Sequence, residues 1–163
     1  LIDNNNTPQG GGRIYFKPRP ELSGGVSYTL GLYDDDDREA LDFFGVDGEL
    51  NLFDFRVRAE YVGGRVEGAE EFGTFFRHGW YFHIEREFET RLRYLHALVP
   101  VFRVDWMDAN DAQKDILDVT RYSIGLATFF RENLIFKLEF SLSDERGEAV
   151  SNNGFLTQLV FYW

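Results

Sequence analysis

Three sets of side chains in this sequence have types and spacings that invite chemistry. Asp34-Asp35-Asp36-Asp37, and the stretch holding Asp105, Asp108 and Asp111, supply carboxylate oxygens, the donors that hard divalent cations take. Neither has the spaced Asp-x-Asp-x-Asp-Gly pattern of a calcium loop, so solvated acidic surface is the plainer reading. His78, His83 and His96 are metal-capable, but the first two are five residues apart and on a strand point to opposite faces. Cysteine is absent, which removes disulfide and thiolate chemistry. Serine, histidine and aspartate occur without a nucleophile elbow or a His-anchored constellation. An enzyme, such as a barrel phospholipase, is the weakest reading, and no metal or cofactor is expected.

The third set is larger: Arg13, Lys17, Glu49, Arg56, Arg58, Glu60, His83, Glu85, Arg103, Asp105, Arg121, Lys137 and Glu139, joined by Asp47 and Glu87. These alternate with apolar residues. What they could supply is a field, since stripes of opposite charge along a water-filled passage bias which ions enter. The same residues could instead pair across strands and merely keep a wall hydrated and in register. Both readings stay open.

The elements that must position them follow a period of two. The pattern predicts nine strands, near 13–17, 22–33, 42–52, 55–61, 77–88, 100–106, 121–130, 134–143 and 155–163. Aromatics reach 17% and glycine numbers 16, which excludes disorder and suits a turn-rich β protein. No apolar run is long enough for a spanning helix. Residues 63–75 read as a loop, and 89–97 as a longer turn or a helical turn.

Connections are alternately short and long, the arrangement that separates periplasmic turns from extracellular loops in outer-membrane barrels. Segments 34–42, 67–71, 108–118 and 144–148 carry charges of −5, −3, −3 and −2, together more than the net −11 of the chain. The acidity is thus expected at one rim, with a nearly balanced wall. A net negative charge of this size argues against nucleic acid as a partner.

Periodicity alone leaves open which face is inside. A narrow interior could not hydrate so many charges, and an Arg or Lys at the lipid midplane costs about 2–4 kcal/mol. We therefore expect a transmembrane β-barrel with a wide, wet lumen rather than a soluble sandwich or lipocalin-like barrel. The charged set then lines the pore. Trp80, Trp106, Tyr122, Phe130 and Trp163, with Tyr28, form lipid-interface girdles. Arg86 interrupts the apolar face near the periplasmic end, where its stem can snorkel.

Short motifs add a resemblance. They are Gly12-Arg13-Ile14-Tyr15-Phe16-Lys17-Pro18 with Pro20-Glu21-Leu22, Gly79-Trp80-Tyr81, and Pro100-Val101-Phe102-Arg103-Val104-Asp105. Arg121-Tyr122-Ser123-Ile124-Gly125-Leu126, Asn133-Leu134-Ile135-Phe136-Lys137-Leu138-Glu139-Phe140 and the terminal Asn-Gly-Phe-Leu-Thr-Gln-Leu strand complete the set. In these the chain resembles Gram-negative outer-membrane porins of the phosphate-selective porin O/P type over most of residues 12–163. The resemblance implies an antiparallel 16-stranded barrel, of which residues 1–163 are the C-terminal part, with roughly seven strands elsewhere. It implies passive diffusion of small hydrophilic solutes or ions, a homotrimer, contact with outer-membrane lipids and lipopolysaccharide, and recognition of the C-terminal strand by the barrel-assembly machinery. The concentrated Arg/Lys ladder that phosphate selection requires is missing. A non-conducting barrel, serving as anchor or scaffold in an envelope complex, is the alternative.

Overall fold

The computed structural model describes residues 9–32, 39–68, 73–113, 118–130, 133–146 and 152–161. Asp34 to Asp37 and the terminal Tyr162 and Trp163 lie outside them, so the expected acidic tetrad and Trp163 girdle position do too. The described chain is all strand: β1 Gly10–Arg19, β2 Leu22–Leu32, β3 Ala40–Leu52, β4 Phe55–Glu67, β5 Thr74–Arg86, β6 Phe88–Leu92, β7 Leu95–Asp108, β8 Val119–Phe130, β9 Leu134–Glu145 and β10 Gly154–Phe161. Every pairing is antiparallel between neighbours, giving one open sheet in the order β1-β2-β3-β4-β5-β7-β8-β9-β10, with β6 also on β7.

The ten strands therefore fill nine places across the sheet, because β5 and β6 lie end to end along β7. The break between them, Arg86–Glu87, falls opposite Val99–Pro100. Proline cannot donate to a ladder there, and the Glu87 amide turns to the Asp54 carbonyl in the β3–β4 turn, 3.0 Å away. Residues 89–97, expected as a longer turn or a helical turn, instead make a hairpin closed by Arg93 and Tyr94. At the short-turn end the chain reverses at 20–21, 53–54 and 93–94, and β8 and β9 pair as far as Phe130 and Leu134. All longer connections emerge at the opposite end.

The expected loop at 63–75 is also mostly ladder. β4 and β5 pair as far as Glu67 and Thr74, and Gly63 and Gly64 lie inside the strand. They are glycines because neighbouring rings cover them: a Cβ on Gly63 would stand 2.8 Å from Phe76 and 3.1 Å from Phe44, and one on Gly64 would meet the Phe43 ring. Strand glycines of this kind mark close approach rather than turns.

Register fixes two faces. One carries Ile14, Phe16, Val26, Tyr28, Phe44, Val46, Val57, Tyr61, Trp80, Phe82, Phe102, Val104, Tyr122, Ile124, Phe136, Leu138, Phe140, Leu159 and Phe161; the other carries the charged set. The charged face is concave. A cavity of about 880 Å³ touches Arg56 and Arg58 on β4 and also Lys137 and Glu139 on β9, strands roughly 19 Å apart on a flat sheet. The apolar face is convex and bare, with Ile14 70%, Ile124 63% and Phe161 60% exposed. Buried apolar side chains among the described residues are Val66, Ala97, Val99, Ala109 and Ile135. The chain exposes 12001 Å², against about 8,400 Å² expected for a compact soluble monomer of its mass. A single curved layer explains the excess.

Candidate functional site

The convex face has a margin. On β3, β4, β7 and β9 the residues facing that way are free of charge across 44–52, 55–63, 98–106 and 134–142, nine residues in each case. Asp42, Arg65, Asp108 and Asp144 then end the run at the long-loop end. A cluster lies along this margin: Phe44, Tyr61, Phe76, His78 and Trp106 in ring contact, with centroids 4.9–6.4 Å apart. Tyr61 Oη lies 3.2 Å from His78 Nδ1, and His78 Nε2 lies 3.5 Å from Asp108. Trp80, Trp106, Tyr122 and Phe130 all face the convex side. At the short-turn margin the Arg86 guanidinium sits over the Phe55 and Phe88 rings at 4.8 and 4.6 Å, with Asp54 at 3.7 Å. This cation on the apolar face is thus held by two rings and a turn carboxylate.

The concave face holds twelve of the thirteen charged or ionisable residues expected together. Lys17 lies in the irregular stretch between Phe16 and Arg19, where the β1–β2 register shifts. Register gathers most of the others into three adjacent rows across the strands. One row reads Asp47, Glu60, Tyr81, Asp105, Arg121; the next reads Glu49, Arg58, His83, Arg103; the third reads Asn51, Arg56, Glu85 and, beyond Val101 and Gly125, Glu139. Above this belt the same face is mostly apolar or small, with Phe43, Val62, Gly79, Met107 and Val119. Below it lie Ala97, Val99, Ala127, Phe129, Ile135 and Val160, beside Lys137.

Within the belt most charges are paired. Arg56 Nη1 donates to Glu85 at 2.9 Å, and its Nε to Asn51 at 3.1 Å with Glu49 at 3.9 Å. Arg58 Nη2 lies 2.9 Å from His83 Nε2 and 3.6 Å from Glu85, and His83 Nε2 is 3.1 Å from Glu85. Arg103 donates to Asp105 at 2.8 Å and stacks over Tyr81 at 4.3 Å. Arg13 bridges to Asp47 at 2.7 Å across β2, over Gly25, whose hydrogen leaves the room: a Cβ there would meet both side chains within 2.9 Å. Of Arg56, Arg58, Arg103, Arg121 and Lys137, expected to face acids on neighbouring strands, Arg56 and Arg58 pair with one there. Arg103 pairs along its own strand. Arg121 stands opposite Asp105 in register but bonds Ser143 Oγ at 3.4 Å, and Lys137 stands between Ala127 and Gln158.

The sequence reading missed Tyr81 as a member of this face's site, and the Tyr61–His78–Asp108 contact. Both need register: alternation alone tells that Tyr81 faces with Glu85, not that Glu60 and Asp105 flank it. Among the described residues no group of three or more metal-capable side chains forms, and no helix is long and apolar enough to cross a membrane. Comparison with known protein families, curated proteins and solved structures finds no match.

Proposed function

We propose that this chain forms part of the wall of a water-filled β-barrel pore in a bacterial outer membrane, passing small hydrophilic solutes or ions by passive diffusion, as in the phosphate-selective O/P-type porins its sequence resembles. The observation that carries the reading is the convex band. Nine residues is the length of strand that crosses a bilayer core at a tilt near 45°, and four strands present that length without a charge. At ~25 cal/mol per Å², so much bare apolar surface would not stay in water. The concave belt supplies the wet side. On this reading the convex face lies against outer-membrane lipid and lipopolysaccharide, and the assembly machinery reads β10. The homotrimer rests on the resemblance alone.

Strand direction adds a constraint. With nine places in the sheet and every step antiparallel, β1 and β10 run the same way. Antiparallel closure then requires an odd number of further strands between them, and seven would complete a barrel of sixteen. A second reading, a non-conducting anchor or scaffold, draws on the apolar inner lining at the short-turn end, where Val99, Ala127 and Phe129 line the larger cavity and could receive a packed segment. Planar-bilayer recording of the full-length protein separates the two. Stepwise conductance supports the pore; a silent, correctly inserted barrel supports the scaffold.

A further inference from the structure

At the centre of the belt, three neighbouring strands set six side chains in an array of two rows. β4, β5 and β7 contribute Glu60, Tyr81 and Asp105 to one row, and Arg58, His83 and Arg103 to the row two residues further along each strand. Two carboxylates flank a phenol ring in the first; two guanidiniums flank an imidazole in the second. The rows open into different hollows. A cavity of about 470 Å³ is lined by Glu60, Tyr81 and Asp105, and the 880 Å³ cavity by Arg58 and His83. Charge therefore changes sign between the two rows of the array, over two residues along each strand.

We propose that this array selects zwitterionic solutes of about dipeptide length, taking an ammonium group at the Glu60–Tyr81–Asp105 row and a carboxylate at the Arg58–His83–Arg103 row. The inference rests on the pore reading and names the solute class of that pore. Three features carry it. Two residues of antiparallel strand separate the rows by about 6.8 Å, and two residues of extended peptide span about 7 Å. The Tyr81 ring between these carboxylates already takes one organic cation, the Arg103 guanidinium at 4.3 Å, and guanidinium groups present paired donors to a carboxylate. Arg103 pairs with Asp105 across the two rows, and Arg58 with Glu85 outside the array; the four side chains are 18–40% exposed, so water screens both pairs and a solute competes with them. Weak, two-ended contact of this kind enriches a solute without trapping it, as passage requires.

The test is osmotic swelling of liposomes holding the full-length protein, near neutral pH. L-alanyl-L-alanine is compared with its N-acetyl form, which lacks the cation, and its amide, which lacks the anion. The zwitterion should enter roughly threefold faster than either singly charged form, the scale of one exposed ion pair. In the double variant Glu60→Gln, Arg58→Gln the three rates should converge. Equal rates in the unaltered protein would overturn the proposal, as would a preference that survives in the double variant. Should that variant fail to assemble, the rates of the unaltered protein alone decide. If no solute enters at all, the pore reading falls and this proposal falls with it.

Discussion

The same nine-place sheet presents two surfaces built on different rules. The convex face is specified locally: an apolar residue at every second position, charge only at the margins, and no demand on which residue lies beside which. The concave face is specified by register, because Arg13 reaches Asp47 over Gly25, and Glu60, Tyr81 and Asp105 align only when three strands are correctly paired. A slip of one residue would exchange the faces, and a slip of two would leave both faces intact while breaking every charged row. The apolar face thus decides where the sheet sits, and the charged face decides in what register it forms.

The largest way to break this contrast is a charge on the convex face. Leu138→Lys should cost about 2–4 kcal/mol and abolish heat-modifiable migration on gels, whereas Ser141→Lys, three residues on and facing the cavity side, should assemble normally. Equal outcomes would mean the faces are wrongly assigned. Next comes register. Gly64→Val drives a side chain into the Phe43 ring and to 2.5 Å from the Asp42 carbonyl, and overpacking of this kind should cost about 1–3 kcal/mol, seen as a lower unfolding midpoint in detergent. Arg86→Ala removes a cation from between two rings; roughly 0.5–1 kcal/mol should be lost, and Arg86→Lys should recover part of it. Smallest is Gly25→Ala, which disturbs flexible side-chain ends in the Arg13–Asp47 bridge. A change of at most about 1 kcal/mol is expected for such an exposed pair, and a larger one would mean that the bridge fixes the β1–β2 register.

How much of this was legible in the sequence follows the same division. The alternation of Phe102, Val104 and Trp106 with Arg103 and Asp105 announces a strand and its two faces, because bare apolar surface permits no lapse in the pattern. Where the strands pass beyond the charge-free band, that pressure ends and the signal fails. Glu89-Thr90-Arg91 has no apolar period, yet it belongs to a hairpin held by Glu89↔Ala97 and by Thr90 Oγ1 donating to the Leu95 carbonyl. Gly63 and Gly64 read as loop residues because glycine ordinarily marks a turn. Their reason lies one strand away, in Phe43 and Phe44, and on β5 in Phe76. The belt was half legible: its members could be named, but the rows that give them order are a property of pairing.

The claim on which the rest depends is that the convex face meets lipid and the concave face meets water. With no cysteine in the chain, single cysteines can be placed at each position from 101 to 106 on β7, spin-labelled, and the full-length protein reconstituted in bilayers. Collision with oxygen, which concentrates in lipid, should peak at 102, 104 and 106. Collision with a water-soluble nickel complex should peak at 101, 103 and 105. The two profiles should oscillate out of phase with a period of two. An inverted phase, or uniform access to the nickel complex along the whole strand, would contradict the account.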